Sequence, residues 1–388
     1  MRVVGGVLGA VLGSVLLAVS ATTAGADQPA RHVLYDHGSF YPRAIRLARG
    51  PDAGLLVASL TTNIGRQGVG IIEVSTTGGQ TFQQVAEIRD PTAANGGSVC
   101  CGALYELPTA VGDLPAGTVL WAASTGNDAP RAHRISRERL WASTDGGLDW
   151  RFVSTIATAT NHFDTWEPSL SVAANGQLVA FYSDETDYQR HDQKLVQVRS
   201  ADGVHWGGFR ETVVSDTWTV RPGMANVIRL PDHSYFMSYE VCNNDFVHLC
   251  GIYDRRSTDG WNYGNARNLG TSVRTVDGKY LRHTPFPVWT PGPGPNGTIL
   301  LIGEMVVNAD GGIAPENGKT LVANGNLGRG PWYEIPAPIA VTGVNNTGCK
   351  NFSPALVPSA DGTSLLEVDT DLDHGVCKTY YASEPLHT

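Results

Sequence analysis

Apolar residues in this chain fall into short runs, each about one strand long and each stopped by turn-forming residues. Leu55–Ser59, Val119–Ala123, Leu178–Tyr182, Tyr235–Tyr239, Ile299–Ile302 and Ser364–Val368 are the clearest. Short apolar runs bounded by Gly, Pro, Asn and Asp mark buried strands. No periodic block of Ala, Glu, Lys and Leu, of the kind a helical protein carries, interrupts them. Each run also follows a segment with a shared opening. Tyr41-Pro42-Arg43-Ala44, Glu167-Pro168-Ser169-Leu170, Arg221-Pro222-Gly223-Met224, Thr284-Pro285-Phe286-Pro287 and Ser353-Pro354-Ala355-Leu356 share a proline at the second place. Cys101-Gly102-Ala103-Leu104 fills the remaining slot without one. A proline is tolerated at a strand start, where its missing N–H costs no ladder bond. The openings at 42, 102, 168, 222, 285 and 354 are 60, 66, 54, 63 and 69 residues apart. Six units of that length predict an all-β, six-bladed β-propeller. Arg31–Asp36, ahead of the first unit, is expected to add a strand to the last blade and close the ring.

A second repeat supports the first. Ser143-Thr144-Asp145-Gly146, Ser200-Ala201-Asp202-Gly203 and Ser257-Thr258-Asp259-Gly260 each lead to an aromatic residue, Trp150, Trp206 and Tyr263. Ser75-Thr76-Thr77-Gly78, leading to Phe82, is a degenerate copy. Asp-Gly supplies a turn with positive φ, and the Asp oxygen satisfies loop N–H groups. The motif resembles the Asp-box of sialidase-type propellers, where it joins the third and fourth strands of a blade.

Composition narrows the class. Gly 45 and Pro 22 among 388 residues suit many tight turns, and only 17% of residues are charged. The net charge of −9 comes without any Lys/Arg-rich run, which argues against nucleic acid or an anionic membrane as partner. His191, His205, His233 and His248 lie in separate turns without metal-site spacing, and neither a phosphate-cradling nor a nucleophile-elbow motif occurs. No metal and no cofactor are therefore expected. Residues 1–26 read as a secretory signal peptide: Arg2, an apolar stretch from Val3 to Ser20, then Ala24-Gly25-Ala26 as the cleavage site. Residues 27–388 are expected to form a single propeller domain, exported and monomeric. Six cysteines suit that compartment. Proximity favours pairing Cys242 with Cys250 and Cys349 with Cys377, leaving the neighbours Cys100 and Cys101 as a vicinal disulfide or as thiols.

In a propeller the innermost strand begins at the rim of the central channel, and the second strand ends at the same face. Two positional classes should thus line one pocket: Tyr41, Cys101, Glu167, Arg221, Thr284 and Ser353 at strand starts, and Thr61, Ser124, Asp184, Glu240, Glu304 and Glu367 at second-strand ends. Glu167 and Glu240 then stand on adjacent blades. Two carboxyls in a partly apolar site can be pushed to different protonation states, one a proton donor and the other ionised. Glycosidic bond cleavage needs such a pair.

Trp166-Glu167-Pro168 and Ser238-Tyr239-Glu240 resemble the catalytic segments of glycoside hydrolase family 93, the exo-α-1,5-L-arabinanases, and the likeness extends over nearly all of the chain after residue 31. The resemblance implies a sialidase-like propeller and a retaining mechanism that releases arabinobiose from the non-reducing end of linear, plant cell-wall arabinan. It also implies Glu167 as acid/base and Glu240 as nucleophile. Tyr41, Arg66, Trp166, Arg221 and Tyr239 are the expected substrate contacts, with Arg221 also placed to hold Glu240 ionised. Two other readings stay open. An exo-sialidase would need an arginine triad, for which Arg43, Arg66 and Arg221 are the candidates. A non-catalytic carbohydrate-binding propeller would keep the Asp-boxes and dispense with the carboxyl pair.

Overall fold

Six antiparallel sheets are arranged as the blades of a propeller in the computed structural model, which describes residues 30–386 except 293. The putdown of strands is regular: blade 1 runs through Phe40–Arg46, Leu56–Ile64, Gln67–Ser75 and Gln83–Arg89. Blade 2 uses Val99–Glu106, Val119–Thr125, Arg137–Ser143 and Arg151–Thr158, and blade 3 uses Thr165–Val172, Leu178–Asp184, Lys194–Ser200 and Trp206–Val213. Blade 4 is built on Arg221–Arg229, Tyr235–Cys242 and Gly251–Ser257, with the short Thr271–Ser272 as outer partner and an extension through Tyr280–Arg282 and Met305–Val307. Blade 5 comprises Phe286–Thr290, Thr298–Ile302, Thr320–Asn324 and Tyr333–Pro336. Blade 6 takes Ala355–Pro358, Ser364–Asp373 and Val376–Pro385, and its outer strand is His32–Tyr35. The two ends of the described chain thus pair with each other, as the sequence predicts, and the ring is closed by hydrogen bonds. The signal-peptide reading of residues 1–26 lies outside the described residues.

The unbroken apolar runs have a simple cause. The second strand of each blade is buried on both faces, because each face meets a neighbouring blade. Val119, Trp121 and Ala123 pack toward blade 1 with Val57 and Ile72, whereas Leu120 and Ala122 pack toward blade 3 with Leu178 and Ala180. The same division recurs in blade 4, where Tyr235, Met237 and Tyr239 face blade 3 and Phe236 faces blade 5.

The Asp-boxes lie where the repeat predicts. In blade 2 the Asp145 carboxylate accepts the N–H groups of Leu148 and Asp149 at 3.1 and 3.0 Å, and Ser143 Oγ takes Gly147 N–H at 2.9 Å. Asp202 and Asp259 do the same for their loops. Blade 5 achieves the turn differently: Asn324 Oδ1 accepts from Asn326 and Gly328 at 2.8 and 2.9 Å, so one side chain replaces the Ser–Asp pair.

Each blade opens with a residue in the left-handed region: Tyr41, Cys101, Glu167, Met224, Thr284 and Ser353, all with φ between 49 and 64°. In blades 1 to 4 the pairing of the first two strands slips at this residue, so it forms a bulge. Blade 4 corrects the expected alignment. Its bulge residue is Met224, and Arg221 and Pro222 lie three and two residues upstream, on the extended stretch beyond it. Proline therefore follows the bulge residue only at Pro42, Pro168, Pro285 and Pro354, with Gly102 and Ala225 in the other two blades.

Candidate active site

The bulge residues converge on the channel mouth. Tyr41, Cys101 and Met224 form a small buried cluster there, with Cys100, Trp166 and Phe352 packed against it. Above it opens a cavity of about 360 Å³ lined by Tyr41, Cys100, Cys101, Trp166, Glu167, Glu185, Gln193, Arg221, Glu240 and Phe352. Cys100 and Cys101 form a vicinal disulfide in its wall, and Cys242–Cys250 and Cys349–Cys377 are also paired. A larger cavity of about 470 Å³ occupies the channel among the inner strands, and neither Glu167 nor Glu240 reaches it.

Hydrogen bonds pass from blade to blade around the mouth. The Glu167 N–H donates to Ser124 Oγ of blade 2 at 3.0 Å, and the Met224 N–H to Ser183 Oγ of blade 3 at 3.3 Å. The Thr284 N–H donates to Glu240 Oε2 of blade 4 at 3.2 Å. Ser124, Ser183 and Glu240 are thus one structural position, opposite Cys100, Trp166 and Gly223 in the strand register. The expected occupant in blade 3, Asp184, is one residue too far along. In a strand that reverses the face, and Asp184 instead caps its own loop through Thr186 at 2.8 Å. Glu367 is also displaced: it is buried, accepting the Ile339 N–H at 2.8 Å.

The two candidate carboxyls sit in different surroundings. Glu167 takes the Ser183 O–H at 3.0 Å on Oε2. Desolvation in the cavity, and then the charge of Glu240, push its pKa up to about 8 against that hydrogen bond. Glu240, 8% exposed, accepts the Thr284 N–H and stands 3.3 Å from His283 Nδ1. Cys242 Sγ lies 3.3 Å from its other oxygen, a contact without a proton because the sulfur is in a disulfide. Burial alone would lower the His283 pKa; the hydrogen bond and charge of Glu240, with Glu304 behind, outweigh it and raise it. Glu304 is fully buried, and burial pushes it to about 7.

The expected contacts divide. Trp166, Tyr41 and Arg221 line the cavity. Arg221 does not bond Glu240, however: its guanidinium is taken by Glu185 at 2.5 Å and Asp192 at 2.8 Å, as follows from its place beyond the bulge. Arg66 is outside, exposed on a hairpin and bonded to the Asn95 carbonyl at 2.9 Å. Tyr239 points the other way from Glu240 along the strand; it is fully buried between blades 3 and 4 and donates to the Leu269 carbonyl at 2.6 Å. His283, Ser183, Glu185, Gln193 and Phe352 escaped the sequence reading. A signal for two of them was present, since His283 and Phe352 immediately precede the positive-φ opening residues Thr284 and Ser353, as Trp166 precedes Glu167.

Among the described residues, neither carboxylate–histidine cluster is suited to a metal. Glu240 and His283 gather with Cys242 and Cys250, whose sulfurs are already bonded to each other. In the other, among Asp187, His191 and Glu211, the Lys194 ammonium already pairs with both acids at 3.2 and 3.1 Å.

Among known proteins, no family model and no curated sequence matches the chain. Solved structures do. The α-L-arabinanase of Penicillium chrysogenum, solved with arabinobiose, superposes with a TM-score of 0.76 at 27% identity over 92% of this chain and 97% of that one. The chain is arabinanase-like over nearly its full length. The family 93 α-L-arabinofuranosidase of Fusarium graminearum, also solved with arabinobiose, gives 0.75 at 23% identity, again over 92% and 97%. A Hadza microbial sialidase shares the fold at a TM-score of 0.58 and 12% identity, covering 92% of this chain and 68% of that one. The propeller also lacks the sialidase constellation at the expected residues. Arg43 is buried against the Tyr41 and Phe286 rings and bonded to Ser353, Arg66 is outside, and only Arg221 reaches the cavity. Tyr41 is no better placed as a nucleophile, because burial holds its phenol well above the usual range.

Proposed function

We propose that this chain is an exported, monomeric, retaining glycoside hydrolase that needs no cofactor and releases arabinobiose from the non-reducing end of linear α-1,5-L-arabinan. The observation that carries the reading is the pair in one cavity: Glu167, protonated at neutral pH, and Glu240, approached by the Thr284 N–H and His283. In the first step the Glu167 proton passes to the glycosidic oxygen while Glu240 attacks the anomeric carbon, forming a glycosyl ester as the sugar–oxygen bond breaks. In the second, the Glu167 carboxylate takes a proton from water, the resulting hydroxide oxygen bonds the anomeric carbon, and Glu240 leaves. Two inversions retain configuration. The solved relatives with arabinobiose support the substrate, and the Trp166 ring on the cavity wall would stack on a sugar C–H face. A segment like 1–26 together with three disulfides supports export.

The test is hydrolysis of linear α-1,5-arabinan beside a fluorogenic sialoside by wild type, Glu167→Ala and Glu240→Ala. Arabinobiose release by wild type alone is the expected result. Sialic acid release, or arabinan turnover unaffected by both substitutions, would overturn the reading.

A further inference from the structure

Three aromatic side chains beside the cavity belong to none of the hydrophobic cores. Phe163 and Tyr188 stack with ring centroids 4.5 Å apart and planes 15° apart. Tyr188 then meets Trp218 edge-on at 5.1 Å, and the Arg131 guanidinium lies 4.4 Å from the Phe163 ring. Tyr188 is 38% and Trp218 40% exposed. This ladder is held in place: Trp218 Nε1 donates to the Tyr188 carbonyl at 2.7 Å, and the Trp218 carbonyl accepts the Asp192 N–H at 3.1 Å.

Its place relative to the cavity follows from the chain. Phe163, Tyr188 and Trp218 each stand three residues from a cavity-lining residue, Trp166, Glu185 and Arg221 respectively. Three residues span at most about 10 Å, so the ladder flanks the rim on the side of blades 2 to 4. Glu167 is on the same segment as Phe163 and Trp166. The group that protonates the leaving oxygen faces the departing part of the substrate, so the chain beyond the cleaved bond emerges on this side.

We propose that Tyr188 and Trp218, backed by Phe163, form a second carbohydrate-binding surface that holds sugar residues of the polysaccharide beyond the scissile bond. The proposal rests on the assignment of the cavity as a glycoside hydrolase site with Glu167 as its acid. Fixed aromatic faces suit sugar C–H faces, and little side-chain entropy is lost when rings already held are covered. A cavity of about 360 Å³ holds only the end of a polymer, and the ladder gives the remainder a surface to lie on.

The experiment compares Trp218→Ala, Trp218→Phe and Tyr188→Ala with wild type on linear α-1,5-arabinan and on arabinotriose. The alanine variants should raise KM for the polymer about tenfold, with kcat and the trisaccharide parameters within about twofold, and Trp218→Phe should recover part of the loss. A tenfold change corresponds to roughly 1.4 kcal/mol of lost contact. Unchanged polymer KM, or an equal rise for both substrates, would overturn the proposal. Should wild type cleave neither substrate, the active-site assignment fails, and the ladder is judged by migration in gels containing arabinan, galactan or xylan. Retardation of wild type in one of them, lost in Trp218→Ala, supports a carbohydrate surface; equal mobility of wild type and variant in all three rejects it.

Discussion

Glu167 keeps its proton at neutral pH because the cavity desolvates it and Glu240 lies near; the Ser183 hydroxyl works in the opposite direction by donating to its carboxylate. As the acid it must be protonated when the first step begins. kcat/KM should therefore fall as pH rises through about 8. Ser183→Ala removes a hydrogen bond to the charged form and so should move that alkaline limb to higher pH, leaving both carboxyls in place. A pH–rate profile of the two proteins checks this, and a limb that moves down or stays put contradicts it. Glu167 also sits at φ 60°, a conformation unusual for a residue with a side chain but shared with its counterparts in the other blades, and bulged in blades 1 to 4. The fold itself presents this carboxyl to the mouth.

At the scale of the strand, the bulge explains both what was legible in the sequence and what was not. Repeat length and apolar runs disclosed six blades because strands buried on both faces are mostly apolar. The Glu167–Glu240 pair was legible because it occupies two positions defined by that repeat. Arg221 stands off the mouth because a bulge changes the local count, and the residue pattern does not show which residue adopts positive φ; Asp184, on the unbulged partner strand, lies one place beyond the position that Ser183 holds. Met224 bears no proline to announce it. Tyr239 was misread by one place, and a one-residue step along a strand turns a side chain from channel to core. Gly102, where the series lacks proline, has a packing cause. A Cβ built there would lie 2.5 Å from Nε1 of the fully buried Trp121. Gly102→Ala should therefore destabilise the protein by about 1–3 kcal/mol through overpacking. Denaturant unfolding of this variant measures the loss; stability equal to wild type would show that the indole has room.

For the molecule as a whole, buried acids set the response to pH. Glu138 and Glu304 are pushed to about 7 and Glu367 to about 8, in each case by burial first, from an ordinary value of 4.5. Acids raised in the folded state favour folding fully below about 4.5, and that contribution is lost as pH climbs through 7 to 8. The Asp-box acids Asp145 and Asp259 act oppositely; their loop hydrogen bonds outweigh desolvation and hold them below 3.8, so their contribution is lost in stronger acid. Stability should peak near pH 4–5. Thermal unfolding should give a Tm several degrees higher at pH 5 than at pH 8, with a smaller difference in Glu304→Gln. A Tm that rises over that interval would contradict the burial argument.

The double displacement proposed for Glu167 and Glu240 takes place at one anomeric carbon. Its most direct test is time-resolved proton NMR of linear α-1,5-arabinan during hydrolysis, following the anomeric signal of the first product before mutarotation. Arabinobiose should appear first as the α-anomer, with the β-anomer growing in later. Initial appearance of the β-anomer would contradict it.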